Sequence, residues 1–364
     1  MITLSQTAVQ NGFKDPLAGR IAILKPTTVK TAADRQRRNM EPCLPKFGTV
    51  TIFVGYVSFY KRKYELAQQA LQCYLKGTNY KFVTVDIDTD SRSMRKCRKY
   101  KEFLFKRHCV ASVYLEDTDW MLVLDADSGV INPNHCVEEW IDDRVHVLLY
   151  ERFFNMEISA ASYMVHNSKF AIDFLIGWAN REFTLHDNWT GSDNGVLHLH
   201  VLDTVIPDAV QARENCDTVW RNATDYESYI AYVSCVKQAI GATRLWPGKI
   251  RIYRRAHAWI RDGFLTNSEW CDADFIFHGM KADNITGDSW GTVFSKMPDA
   301  SLCGDGMKGW HLRPEKHMDN DDIRYSLANF ELEEGKTYPI IAKQVFALTM
   351  PDIGKCFPNC EQYT

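Results

Sequence analysis

No apolar run in this 364-residue chain approaches the roughly 20 consecutive residues a membrane-spanning helix requires. The opening residues, MITLSQTAVQNGFKDPLAGR, lack the basic start and apolar core of a signal peptide, so neither leader nor anchor is expected from them. Excess charge of one sign is also missing. A net charge of −3 gives no overall pull toward nucleic acid or a membrane surface, and no nucleic-acid partner is expected. There is no Cys-X-X-Cys pair, which argues against a structural zinc site. Internal repeats and low-complexity tracts are absent as well.

What remains is a globular composition, 45% hydrophobic and 24% charged, with length enough for one large domain or two smaller ones. Eleven cysteines are many for a cytosolic protein, and the odd total leaves at least one unpaired if all partners are internal. Cys303, Cys356 and Cys360 fall in a Pro/Gly-rich region where disulfides would hold loops. Three N-glycosylation sequons, at Asn188, Asn222 and Asn284, suit a secreted or luminal protein.

Residues 1–46 are polar and irregular and read as an extension or stem, 47–295 as the main domain, and 296–364 as a C-terminal extension. TVTIFVGYV from Thr49 is rich in β-branched residues and predicts a first strand. A helical spacing follows over Tyr64–Leu75, then a strand over Lys81–Asp88 and a helix over Arg95–Leu115. Further apolar runs, WMLVL from Trp120 and Val145–Tyr150, read as buried strands, and Phe170–Phe183 as an amphipathic helix. Strands alternating with helices predict an α/β fold with a mostly parallel central sheet. Ligands bind beyond the carboxyl ends of such strands, where Asp88 and Asp125 lie.

Three segments carry chemistry. In WMLVLDADSGVINP a buried strand runs directly into Asp125 and Asp127, and two carboxylates there can share a divalent cation that also binds phosphate. The alternative reading of Asp-X-Asp is a solvated turn with an Asp capping the next segment. In DFIFHGMK another short run ends in His278, Gly279 permits close backbone approach, and Lys281 brings positive charge. An imidazole nitrogen with carboxylates favours a manganese-like ion, whereas a lone histidine is more often structural. In WTGSDNGVLH a tight loop enters a helix near Asp193 and Asn194, either an N-cap or a polar pair facing a substrate.

These three sites, in this order, resemble the GT-A class of nucleotide-sugar glycosyltransferases. HGMK looks like a shortened His-Gly-Lys motif of glycogenin-like retaining enzymes. More closely, LDADSGVINPNHCVEEWI, ERFFNMEISAASYMVHNS and GSDNGVLHLH resemble domain-of-unknown-function family 273, a presumed glycosyltransferase group, over roughly residues 48–290. The resemblance implies a GT-A (Rossmann-like) fold and transfer of a hexose or pentose from a nucleotide-sugar, UDP-sugar favoured, to a glycan or glycoconjugate. Retention of configuration and a Golgi or luminal setting are implied too. It also implies Mn2+ or Mg2+ held by Asp127, Asp125 and His278. Asp125, Ala126, Gly279, Lys281 and Arg107 would contact the donor, Val54, Gly55 and Tyr56 would hold its base, and Asp88 its uracil or ribose. Asp193 and Asn194 would lie by the transferring sugar.

Seven of the ten tryptophans follow residue 185, which suits an acceptor groove or, more simply, a core. Two other readings compete. A haloacid-dehalogenase-type phosphatase also begins with Asp-X-Asp after an apolar strand, but typically has Thr or Val where this chain has Gly129. A non-catalytic sugar-nucleotide-binding protein would keep the same residues without turnover. VDIDTDS begins like a calcium loop but has Cys97 at the twelfth position from Asp86.

Overall fold

The computed structural model describes residues 43–285, 292–337 and 357–358. The strands are β1 Val50–Tyr56, β2 Lys81–Asp86, β3 Trp120–Leu124, β4 Gly129–Val130, β5 Val147–Tyr150, β6 Ser162–His166, β7 Leu245–Trp246, β8 Ile250–Tyr253, β9 Ile260–Asp262 and β10 Ile276–His278. The helices are α1 Glu65–Leu75, α2 Ser91–Cys97, α3 Phe103–Leu115, α4 Lys169–Asn180, α5 Ser192–Val205, α6 Val210–Arg221, α7 Tyr226–Ile240 and α8 Asn320–Thr337.

Seven strands form one sheet in the order β2-β1-β3-β6-β5-β8-β7, and β4-β10-β9 form a second, smaller one. β1 runs parallel to β2 and β3, and β8 runs parallel to β5. β6 is antiparallel to both β3 and β5, and β7 is antiparallel to β8. This is the mostly parallel α/β sheet the sequence predicts. It explains why WMLVL shows no alternation, since both faces are covered. Met121 and Val123 pack with the helix α3, α4, α5 and α7 side, while Leu122 and Leu124 pack with α1 and the small sheet.

The predicted helix over Arg95–Leu115 is two helices. Asp90 caps α2 by accepting from the Ser93 backbone N–H at 2.6 Å. Between α2 and α3, the Lys101 and Glu102 N–H groups donate to the Glu182 carboxylate at 2.8 and 3.3 Å. A distant side chain thus takes the donors a continuous helix would use, which local periodicity does not reveal. β2 ends at Asp86, two residues early, because Asp86 O accepts from the N–H groups of Thr89 and Asp90 in a turn. α4 ends at Asn180 and tightens into a 3-10 turn over Arg181–Thr184.

Disulfides join Cys43–Cys136, Cys73–Cys303, Cys97–Cys109 and Cys216–Cys235, while Cys271 is a buried free thiol. Cys303 therefore does fasten a glycine-rich loop, to α1; Cys356 and Cys360 lie outside the described residues. α8 packs back on the body through Phe330 against Phe153 and Phe264, and through the Arg255–Glu331 ion pair. Trp220, Trp259, Trp270 and Trp310 are buried, Trp189 and Trp246 half-buried, and Trp290 is outside the described residues. No helix among the described residues is long and apolar enough to cross a membrane.

Replacing Cys73 and Cys303 together by Ser opens a link across 230 residues. The expected loss is ~2–5 kcal/mol of unfolding free energy in a denaturant titration. An unchanged midpoint and slope would show that this bridge does not hold the loop.

Candidate active site

Two sheets deliver the site. β3 ends at Leu124, and Asp125 is fixed at once by its N–H donating to Ala161 O at 2.8 Å. The chain turns, with Ser128 N donating to Asp125 O at 3.0 Å, and enters β4. β4 pairs antiparallel with β10, and Met280 N donates to Asp127 O at 2.8 Å. The turn needs glycine at 129, because an added Cβ would lie 2.8 Å from Met280 Sδ and 3.1 Å from Ala67 Cα on α1. Gly279, at φ +92°, lets the chain leave β10 in a conformation that disfavours other residues.

Asp125, Asp127 and His278 are thereby brought together, each offering one ligand atom within 4.8 Å of the others. His278 Nε2 lies 3.4 Å from Asp127 Oδ1 and 3.6 Å from Asp125 Oδ2, is buried, and has no hydrogen-bond partner. Its other nitrogen, Nδ1, sits 2.8 Å from Asp262 Oδ1, directly across the parallel β9–β10 pairing. Asp262 is held in turn by Arg152 Nη2 at 2.9 Å. This carboxylate–histidine arrangement fixes the ring and aims Nε2 between two carboxylates, a donor set suited to a manganese-like divalent cation. Lys281 Nζ lies 3.9 Å from Asp127 Oδ2.

The electrostatics follow from burial. Desolvation alone would lower the His278 pKa, but Asp127, Asp125 and Asp262 raise it to about 10. Burial pushes Asp125 upward, and Arg107 with His278 outweighs it, so the carboxyl titrates below its usual range. Asp262 is held down in the same way by Arg152 and His278.

Arg107 forms the opposite wall. Its guanidinium, 10% exposed, donates to Asp125 Oδ1, to Asp193 Oδ2 at 2.5 Å and to Ala160 O at 2.9 Å. Asp193 lies in the first turn of α5 after Gly191, whose φ of +67° lets the loop enter the helix against the Tyr229 ring. The N-cap is Gly191, so the Asp193 carboxylate is turned to Arg107 rather than to its own helix. His108 Nε2 is 3.2 Å from the same Asp193 oxygen, with its ring stacked on Trp178. Burial lowers the His108 pKa to about 4, so it is a neutral partner at pH 7.

The other predicted residues are dispersed. Asn194 Oδ1 accepts from Ala160 N–H at 2.8 Å and so braces the loop that Arg107 also grips. Ala126, half-buried, accepts from Gln68 Nε2 through its carbonyl at 3.0 Å. Val54 pairs in register with Leu124, so Val54, Gly55 and Tyr56 end β1 beside the start of the Asp125 turn. Asp88 is 55% exposed and pairs with the buried Lys106 at 2.8 Å. Sequence reasoning missed Asp262, Arg152 and His108. The only signal for Asp262 is a three-residue strand ending in an acid, Ile260–Asp262, too short for periodicity to register.

A family model described as "Protein of unknown function, DUF273" matches residues 71–294. No curated protein matches the chain. Among solved structures, a glycosyltransferase involved in the glycosylation of the major capsid of PBCV-1 aligns with 14% identity, 63% of this chain and 93% of that chain covered, and a TM-score of 0.35. The glycosyltransferase GlyE of Streptococcus pneumoniae TIGR4 aligns with 14% identity, 42% of this chain and 43% of that one covered, and a TM-score of 0.31. This chain thus spans less than half of the GlyE chain.

A cation at this site must displace the His278 proton. Uptake of Mn2+ should release a proton, and affinity should rise with pH throughout the range below about 10, where that proton competes. Isothermal titration in buffers of different ionisation enthalpy measures both. Asp262→Asn should weaken Mn2+ binding by about 10- to 100-fold by freeing the ring. Unchanged affinity and no proton release would remove His278 from the ligand set.

Proposed function

The chain belongs to the DUF273 family, and from that premise and the site geometry we propose that it is a metal-dependent glycosyltransferase acting on a nucleotide-sugar, with a UDP-sugar as the favoured donor. The observation that carries the reading is the unpartnered His278 Nε2, aimed at Asp125 and Asp127 beside Lys281 at the end of a parallel strand. The acceptor is a glycan or glycoconjugate and the transferred group a hexose or pentose.

A nucleoside diphosphate gains negative charge as the sugar–phosphate bond breaks. A divalent cation held by Asp127, Asp125 and His278, Mn2+ or Mg2+, supplies the matching positive charge when bound. Lys281 adds a second, from the same β10 exit that carries His278. Val54, Gly55 and Tyr56 line the base position, with Asp88 accepting from base or ribose. Arg107 holds Asp125 and Asp193 in one fixed relation, so that donor grip and sugar position are set together.

Asp193 supports positive charge developing at the anomeric carbon. Its contacts with Arg107 and His108 fix this carboxylate in place. The acceptor hydroxyl proton then passes to the departing phosphate oxygen on the same face of the sugar, which gives retention. The phosphatase alternative needs Asp125 as a free nucleophile, whereas one of its oxygens is taken by Arg107 and the other faces His278.

Screening nucleotide-sugars for Mn2+-dependent hydrolysis tests the reading. One donor should be hydrolysed, and Asp127→Ala should lower the rate by about 10²-fold or more. Asp193→Asn should lower kcat by a larger factor than it weakens UDP binding. Wild-type hydrolysis by Asp127→Ala, or turnover of phosphate esters but of no nucleotide-sugar, would contradict it.

A further inference from the structure

The sequons at Asn188 and Asn222 lie against one another, and their amide groups have opposite circumstances. Asn188 is half-buried, and its Nδ2 donates both to Trp220 O and, at 3.3 Å, to Ala223 O. Both amide hydrogens are therefore in use. The rest of that sequon is stitched to the same stretch: Trp189 N donates to Ala223 O at 3.2 Å, and Trp220 Nε1 donates to Thr190 O at 3.1 Å. Thr190 leads through Gly191 into the turn that carries Asp193. It packs so closely that a Cβ on Gly195 would lie 1.8 Å from Thr190 O. A glycan on Asn188 would remove a strut of this loop and would need space the fold has filled.

Asn222 is exposed at the C-terminus of α6, and so is Thr224. Its Nδ2 donates to Thr218 O at 2.8 Å, which takes one of the two amide hydrogens, and an N-linked asparagine keeps one. Between them Ala223 is fully buried and anchors the turn. The Cys216–Cys235 disulfide joins the two helices that bracket it. Disulfides persist in the oxidising compartments where sequons are glycosylated, and four are present among the described residues.

We propose that Asn222 is an N-glycosylation site of this protein, and that Asn188 stays bare because its amide nitrogen holds the loop leading to Asp193. The co-reactant is a lipid-linked diphospho-oligosaccharide. Asn222 Nδ2 forms a bond to the anomeric carbon, the bond from that carbon to the diphosphate oxygen breaks, the lipid diphosphate leaves, and one amide proton goes to solvent base. The assignment stands independently of the transferase reading.

The full chain, sent through the secretory pathway of a eukaryotic host behind an added leader, is treated with peptide N-glycosidase in 18O-water, and the tagged asparagines are mapped by mass spectrometry. The tag should appear at Asn222 and be absent at Asn188. Asn222→Gln should lose one glycan increment in mass, whereas Thr190→Ala, which destroys the first sequon without touching the Asn188 amide, should lose none. An untagged Asn222, a tagged Asn188, or a lost increment in Thr190→Ala overturns the proposal.

Discussion

Carboxylates gathered where water is scarce must be matched by positive charge, and the site is arranged around that requirement. Asp125, Asp127, Asp193 and Asp262 converge on one region, and the fixed cations that meet them are Arg107, Arg152 and Lys281. Arg152 also faces the buried Glu157 at 3.9 Å, so the fixed cations fall short of the carboxylates. His278 lies where that balance is struck, which is why its pKa rises to about 10 despite burial. A proton on Nε2 meets the requirement weakly, since Nε2 makes no hydrogen bond within range. A divalent cation among Asp125, Asp127 and His278 would meet it better.

The fold keeps these groups in place by assigning them to separate rigid elements. The large sheet sets Asp125 at the end of β3 and, through α3 packed on that sheet, the Arg107 that grips it. The small sheet sets His278 and Asp262 side by side in register. One turn joins the two systems, and its geometry depends on Gly129 fitting between α1 and Met280. Arg107 then ties the Asp125 turn to the start of α5, so the two carboxylates share one guanidinium.

Much of this was legible in the sequence. The uninterrupted WMLVL run announces a strand covered on both faces, and acids at its end announce a site. IFHGMK announces a second strand end by the same logic, although β10 proves to belong to a different sheet. Contacts made across long separations left no such mark. Glu182 splits a helix pattern 80 residues upstream by capping donors at Lys101 and Glu102. Arg152 and Asp262 meet across a separation of 110 residues. Neither belongs to a pattern that periodicity detects, and nothing local shows that Asn194 Oδ1 accepts from the Ala160 N–H.

The claim that one divalent cation sits among Asp125, Asp127 and His278 is tested most directly by anomalous diffraction from crystals grown with Mn2+ and UDP. The account predicts a manganese peak bonded to His278 Nε2 and to oxygens of Asp125 and Asp127, with the diphosphate completing its coordination on the side of Lys281. A peak elsewhere, or His278 Nε2 hydrogen-bonded to a carboxylate with UDP bound and no metal between them, would contradict it.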